Sequence, residues 1–304
     1  MEFTVPLGTP FSLAFTLESG QLFRWERRGE WWSGVVSGGV LRLKQEGEIL
    51  RCTTSSERLD SEFVTRYFRL DVDLDHLLAA ISKDETIDRA VQRFYGLRIV
   101  GQDTWECLAS FVLATNTNIP RIRKMVEAIS SRYGDAIEFE GEKYSAFPSP
   151  RALAAAGERE LLACGLGYRA PFLRKVAQSV SEGKVDFRAL ASLGYLESMK
   201  LLTRELLGEK LLLGVGHKVA DCVLLYSCGK DEAFPIDVWI AKVLATSYPD
   251  LLGPSMRKRY AADGKVKLSP SDYDKISARV RAHFGRYAGY AQVYLFMAAR
   301  EGFQ

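Results

Sequence analysis

The segment Leu213-Gly214-Val215-Gly216-His217-Lys218-Val219-Ala220-Asp221 constrains this chain more than any other. Gly214 and Gly216 let the backbone turn tightly and lie close to a polyanion. Val219, Val223 and Leu224 then read as the start of an apolar helix. The first turn of a helix carries N–H groups with no intrahelical partner and the positive end of the dipole. That arrangement suits a phosphate. It does not suit an ammonium, so Lys218 gains by losing its proton. Pro235-Ile236-Asp237 follows, its carboxylate near the start of the next apolar helix. An amine nucleophile, an acid and a phosphate cradle point to chemistry on a nucleic-acid sugar.

The rest of the chain narrows the class. Its 304 residues are enough for one large or two ordinary domains, and 47% hydrophobic with 26% charged residues is a soluble globular balance. No apolar run approaches a membrane span, and Met1-Glu2-Phe3-Thr4 lacks the form of a signal peptide, so an intracellular protein without membrane attachment is expected. Five widely spaced cysteines without a CxxC, and three scattered histidines, argue against a disulfide framework, a zinc ribbon, a cubane cluster or a His-rich metal site. Residues 1–98 hold 13 Lys+Arg against 15 Asp+Glu, and residues 99–304 hold 28 against 23. The positive excess therefore falls on the segment with the glycine turn, as a phosphate-facing surface requires.

Up to about residue 56 the pattern is strand-like. Phe11 to Leu17 alternates, and apolar runs at 35–36, 40–43 and 49–52 are separated by Ser37-Gly38-Gly39 and Glu46-Gly47-Glu48. From Ser61 the period becomes helical. Helices are predicted over 103–115, 119–129, 151–164, 170–182, 186–192, 197–208, 218–228, 237–248, 271–284 and 287–302. The fold class is thus α+β: a β-rich N-terminal domain with flanking helices over 1–98 and a helical domain over 99–304, with the glycine hairpin at about 211–228.

Leu-Gly-Val-Gly-His-Lys-Val-Ala-Asp-Cys followed by Phe-Pro-Ile-Asp-Val resembles the helix-hairpin-helix and Gly/Pro-Asp (HhH-GPD) signature of the DNA glycosylase superfamily, and the lysine marks its bifunctional branch. Gly20-Gln21-Leu22-Phe23-Arg24-Trp25, Asn116-Thr117-Asn118-Ile119, Gly165-Leu166-Gly167-Tyr168-Arg169-Ala170 and Tyr287-Ala288-Gly289-Tyr290-Ala291-Gln292 are similar to the eukaryotic-type 8-oxoguanine DNA glycosylase. The likeness runs in order from about residue 5 to 300 and implies a TBP-like N-terminal domain. It makes Lys218 the nucleophile and Asp237 the catalytic carboxylate. Cys222 and Phe296 would sandwich the extruded base, Gln292 would meet its pairing edge, and the Gly20 and Pro235 carbonyls would line the pocket, Gly20 accepting the N7–H that guanine lacks. Asn116, Arg121, Tyr168 and Arg169 would fill the gap in the duplex and read the orphaned cytosine, while Gly214, Gly216 and His217 lie on the backbone-gripping hairpin. A structural cation, monovalent or divalent, would sit on backbone carbonyls near Leu212 and Val215, and catalysis would need no cofactor. The partner would be double-stranded DNA containing 8-oxoguanine, wherever the cell keeps its DNA, in cytoplasm, nucleoid or nucleus. A monomer is expected because one active site meets one lesion and no coiled-coil repeat is present. Two positions depart from the family pattern: Leu213 replaces the usual proline before Gly214, and Trp239 stands where a phosphate-binding histidine is usual.

The chemistry explains the residue types. Breaking the bond between C1′ and a base nitrogen builds positive charge on the sugar, and an ionised carboxylate beside it lowers the barrier. Asp237 at a helix start is expected to stay ionised through local N–H groups and the dipole. Lysine, with a reference pKa near 10.4, is neutral in only about one molecule in a thousand at neutral pH, so each unit of depression recovers about tenfold. Cys222, one turn beyond Lys218, packs on the base as a thiol or pairs with the lysine as a thiolate.

Other readings stand beside these. Asp237 is also a natural N-cap, Asn116 and Asn118 are possible caps, Gln21-Phe23-Trp25 is ordinary strand alternation with core aromatics, and Arg257-Lys258-Arg259 reads as a solvated loop. Tyr168 and Arg169 follow a Gly-Leu-Gly turn, an exposed place. The rival functions are a bifunctional glycosylase for another oxidised base and a non-catalytic DNA-binding scaffold using the hairpin alone.

Overall fold

A computed structural model describes residues 1–206, 209–263 and 268–302. Strands β1 (Glu2–Pro6), β2 (Trp25–Arg28), β3 (Trp31–Val36), β4 (Gly39–Glu46) and β5 (Ile49–Thr54) form an antiparallel sheet in the order β1-β5-β4-β3-β2. The tight connection between β3 and β4 holds Ser37 and Gly38 at positive φ (48° and 78°), as a twisted two-residue hairpin requires. That turn sets Val35 opposite Val40, and the turn at Gly47 (φ 59°) sets Leu43 opposite Cys52 on the next ladder.

The expected strand at residues 11–17 is instead helix α1 (Leu13–Glu18). The Ser12 hydroxyl accepts the Phe15 N–H, and Leu13, Thr16 and Leu17 turn inward at helical spacing. A short run of apolar and small residues satisfies both periods, and the cap decides. Of Gln21, Phe23 and Trp25, all buried, only Trp25 lies in a strand. The Gln21 carboxamide donates to the Arg98 carbonyl (2.9 Å) and accepts the Val100 N–H (2.9 Å), which fastens the loop after α1 to the start of the helical part.

Helices α2 (Ser61–Tyr67), α3 (Leu74–Ile81), α4 (Glu85–Arg93) and α5 (Thr104–Leu113) are each opened by an aspartate, namely Asp60, Asp73, Asp84 and Asp103. Helix α6 (Ile119–Tyr133) is opened by Asn118. A hairpin of β6 (Ala136–Phe139) and β7 (Glu142–Ser145) follows, an element the apolar pattern did not announce. The helix expected over 151–164 is two, α7 (Pro150–Ala155) and α8 (Glu158–Ala163), broken where Gly157 becomes the extended N-cap of the second. Next come α9 (Ala170–Ser181), α10 (Phe187–Ser192) and α11 (Tyr195–Leu202). The helix expected to reach 208 stops at Thr203, strands β8 (Glu205–Leu206) and β9 (Glu209–Lys210) pair beyond it, and positions 207–208 lie outside the described residues. The remaining helices are α12 (His217–Ser227), α13 (Val238–Thr246), α14 (Pro249–Leu252), α15 (Pro254–Asp263), α16 (Pro270–Phe284) and α17 (Ala288–Arg300). Arg257-Lys258-Arg259 therefore lies on a helix, not in a loop.

Two cores form. Val5, Leu17, Trp25, Leu41, Leu50 and Phe68 fill the one against the sheet. The larger gathers α5, α12 and α17, and it takes in Leu77 of α3 and Ile87 of α4 as well, so the last part of the 1–98 segment packs with the helices. Arg98 is fully buried at this junction, its guanidinium donating to the Pro10 and Val72 carbonyls (both 3.0 Å) and to the Arg69 carbonyl. At the centre lies α12, buried continuously from Val219 to Tyr226. A helix apolar on every side needs neighbours on every side, and it reaches the surface at its ends, at His217 and Lys218 and again at Ser227.

Candidate active site

The hairpin turn works by close approach. Gly214 has φ +84° and lies so near Phe172 that a Cβ would stand 2.9 Å from that ring, so glycine alone fits. Leu212, buried, accepts the Val215 N–H on its carbonyl (3.1 Å) and closes the turn. Gly216 is the extended N-cap of α12 and brings no side-chain acceptor, so the first N–H groups of the helix are left for an outside partner. Nothing lies within 4 Å of where its Cβ would be. That open side is what a phosphate needs.

Lys218 leaves this first turn half-buried, its Nζ 5.0 Å above the centroid of the Phe111 ring. Phe111 is stacked on Tyr226 (5.5 Å, 19° between planes) and set edge-on to Phe23 (5.5 Å). Lys218 is also close enough to the Cys222 side chain, one turn on, to act on its acidity. Burial pushes that thiol up to about 12 despite the ammonium beside it, so of the two states left open by the spacing Cys222 is the neutral thiol. Asp237 is the N-cap of α13, its Oδ1 accepting from Trp239 N (3.0 Å) and Ile240 N (2.9 Å). The balance on its acidity differs from the sequence expectation. Burial raises it above the ordinary aspartate value, outweighing Lys218, which is the largest opposing influence, and the two N–H groups. Asp237 thus feels Lys218 in a partly desolvated place.

Gly20, at φ +85° after α1, meets the opposite end of the chain. A Cβ there would stand 3.1 Å from Ile119 Cδ1 and from Phe296 Cε1, and 3.4 Å from Arg300 Nη1. Gln292, one turn before Phe296 on α17, is buried and accepts at 3.5 Å from the Tyr226 hydroxyl, which joins it to the Phe111 stack under Lys218. Pro235 is buried in the loop leading to Asp237. Phe111, Tyr226 and Arg300 were not singled out from the sequence. The first two have the spacing of ordinary core residues. Arg300 ends a helix, where a cation normally complements the dipole, yet its guanidinium lies over Phe296 (5.5 Å) and donates to the Glu18 carbonyl (3.0 Å).

A second cluster forms at the Thr115-Asn116 turn. Asn116 is exposed and held at φ +49°, a conformation asparagine tolerates better than most residues. Tyr168 is half exposed, and its hydroxyl donates to the Thr115 carbonyl (3.1 Å). Arg169, expected on the surface, is only 2% exposed. Its Nε donates to Thr115 O (2.9 Å), Nη2 donates to Asn116 O (3.1 Å), and the guanidinium lies 4.4 Å from the Tyr168 ring centroid. It turns inward where the Thr115 and Asn116 carbonyls supply acceptors in place of the water its guanidinium gives up. Arg121 is exposed on the first turn of α6, beside the Asn118 cap that accepts its N–H (3.0 Å). His217 faces Asp274 (3.3 Å), and Trp239, 41% exposed beside Val238, extends an apolar edge at the start of α13.

Residues 5–108 match the model for the 8-oxoguanine DNA glycosylase N-terminal domain, and residues 109–250 match that for the HhH-GPD superfamily of base excision DNA repair proteins. The chain is 30% identical to a probable N-glycosylase/DNA lyase of Methanothermobacter thermautotrophicus, covering 97% of this chain and 95% of that one. It is 31% identical to the N-glycosylase/DNA lyase of Saccharomyces cerevisiae, over 93% of this chain and 82% of the relative. Among solved structures it is similar to the 8-oxoguanine glycosylase/lyase of Clostridium acetobutylicum bound to double-stranded DNA with cytosine opposite 8-oxoguanine. There the TM-score is 0.83 at 30% identity, with 97% of this chain and 93% of that one covered.

Proposed function

This chain belongs to the 8-oxoguanine N-glycosylase/DNA lyase family of helix-hairpin-helix base excision repair proteins, and from that premise we propose that it excises 8-oxoguanine opposite cytosine from duplex DNA and cleaves the strand at the resulting site. The observation that carries the reading is the placement of Lys218. Its amine stands over the Phe111 ring at the bare N-terminus of α12, within electrostatic reach of the Cys222 thiol and the Asp237 carboxylate.

In this mechanism the neutral Lys218 amine attacks C1′ of the extruded nucleotide. The glycosidic bond breaks with its electron pair leaving on the base, and the Asp237 carboxylate steadies the positive charge on the sugar. The lysine nitrogen then sheds its excess protons as the C1′–O4′ bond breaks, its electron pair leaving on O4′, which takes up a proton. The imine of the opened sugar acidifies the C2′ protons, so loss of one expels the 3′ phosphate by β-elimination. The target atom lies inside the base stack, so the nucleotide must first leave it. Phe296 and Cys222 then hold the two faces of the base, Gln292 its pairing edge, and the Gly20 carbonyl its N7–H, with Pro235 in the same wall. Guanine would place a lone pair against that buried carbonyl, a penalty of roughly 1–3 kcal/mol. Asn116 and Tyr168 fill the vacated space. Arg121 is the arginine free to read cytosine directly, whereas Arg169 braces the turn that presents Asn116 and reaches the base only by releasing those carbonyls. Gly214, Gly216 and His217 grip the backbone, and Trp239 offers a ring and an indole N–H where a histidine is usual.

Catalysis so described needs no cofactor. A structural cation fits the hairpin in one way only. Leu212 and Val215 have apolar side chains, so main-chain oxygens would hold it, and the Leu212 carbonyl keeps one lone pair beyond its bond to Val215. Among the described residues no cluster of His, Cys, Asp and Glu suits a metal, and no helix is long and apolar enough to cross a membrane. The protein acts as a monomer on DNA, in nucleoid or nucleus. Incubation with duplexes bearing single lesions, in borohydride, tests the reading: covalent capture is expected on 8-oxoguanine·cytosine. Capture only on oxidised pyrimidines, or on nothing, refutes it.

A further inference from the structure

Asp221 has no part in the mechanism above, yet its position is unusual. It is fully buried on α12, three residues beyond Lys218. Its Oδ1 accepts the Tyr195 hydroxyl from α11 (2.8 Å), and its Oδ2 accepts the Tyr273 hydroxyl from α16 (2.6 Å). The Tyr273 oxygen in turn accepts the N–H of Ile236 (3.1 Å), the residue immediately before Asp237. Three hydrogen-bonding groups therefore connect the helix that carries Lys218 to the loop that carries Asp237.

We propose that Asp221 and Tyr273 are positioning residues that set where the Asp237 carboxylate stands relative to the Lys218 amine. The proposal rests on the glycosylase/lyase reading of those two groups. A buried carboxylate is a poor device for stability alone, since apolar residues of like volume usually serve as well or better. Burial accordingly pushes Asp221 up to about 7, against the pull of Tyr273, Tyr195 and Arg281 and with Asp274 adding to the rise. What a carboxylate provides that a leucine cannot is direction, two short bonds at fixed angles to partners on two other helices. Tyr195 and Tyr273 share the aspartate but differ in what lies behind them. Tyr195 leads to the Ser277 hydroxyl (3.3 Å) and carries Arg281 on its ring (4.4 Å), both on α16 and neither hydrogen-bonded to the Asp237 loop. Tyr273 alone leads to Ile236.

That asymmetry supplies the experiment. Tyr195→Phe and Tyr273→Phe each remove one phenol from Asp221, and each is expected to lower the melting temperature by a similar amount. Single-turnover excision of 8-oxoguanine with enzyme in excess should separate them. Tyr273→Phe is expected to slow excision about ten- to a hundredfold, since misplacing a reacting group by about 1 Å costs that much. Its affinity for an uncleavable abasic-analogue duplex should stay within about twofold, and Tyr195→Phe should excise within about threefold of wild type. Equal rate constants for the two variants, or a loss in Tyr273→Phe fully matched by lost affinity, would overturn the proposal. If Tyr273→Phe is too unstable to assay, Asp221→Asn carries the same expectation, and a wild-type excision rate in that variant overturns it equally. The unmutated protein tests the underlying reading separately: its inactivity on 8-oxoguanine would sink the proposed substrate, whatever the variants did.

Discussion

Replacing Asp237 with asparagine separates two jobs that one side chain holds. Its Oδ1 caps α13 by accepting from Trp239 N at 3.0 Å and Ile240 N at 2.9 Å. Asparagine ranks with aspartate as a cap, so the helix start survives the change. What disappears is the negative charge facing Lys218 and the sugar cation. Removing one preorganised electrostatic partner typically slows the chemical step about 10²- to 10³-fold, or roughly 3–4 kcal/mol. Stability should move the other way, if at all. Burial raises Asp237 above the ordinary aspartate value, so ionising it costs more in the folded protein than in the unfolded chain, and its charge weakens the fold at neutral pH. The asparagine variant should therefore melt at or slightly above wild type. Asp237→Ala loses the same charge and the cap as well, about 1 kcal/mol more, or about 2–4 °C for a chain of this size. Single-turnover excision on an 8-oxoguanine·cytosine duplex, with thermal melts of all three proteins, decides the matter. An asparagine variant that excises within about threefold of wild type, or melts several degrees below it, refutes the division of roles.

Lys218→Gln should abolish borohydride capture and strand cleavage while duplex affinity, measured by gel shift, stays within a few fold. Gly20→Ala places a side chain at φ +85° and 3.1 Å from Phe296 Cε1. It should cost about 1–2 kcal/mol in stability and narrow the preference for 8-oxoguanine over guanine, read as the ratio of their affinities. Asp221 sits at about 7 in the folded protein against an ordinary 3.8. Between those values the unfolded chain has lost this proton and the folded one keeps it, so its contribution to stability falls as pH rises through the window and is level above it. At about 1.4 kcal/mol for each pH unit the fall is at most roughly 4 kcal/mol. Asp221→Asn should flatten that slope, and melting curves from pH ~4 to ~8 that keep it would assign the dependence elsewhere.

Features set by neighbours in the chain could be read directly. Asp237 as a cap, Asn118 as a cap and the Ser37-Gly38 hairpin all follow from contacts a few residues apart. Where two local codes competed, reading failed. Residues 11–17 satisfy the strand and the helix period alike, and the Ser12 cap settled on helix. Gly157 could have been tolerated inside a helix, and instead begins a new one.

The sequence alone determined the chemical cast: an amine after a glycine turn, an acid opening the next helix, and a family pattern along nearly the whole chain. The tertiary structure decided each member's condition. It made Cys222 a neutral thiol, raised Asp237, drew Arg169 inward onto the Thr115 and Asn116 carbonyls, and brought Gly20 against Phe296 across the length of the chain. Identity and turn geometry are local and short-ranged. Acidity and the partners of a long side chain depend on which distant atoms exclude water from it, and only the packed fold specifies those.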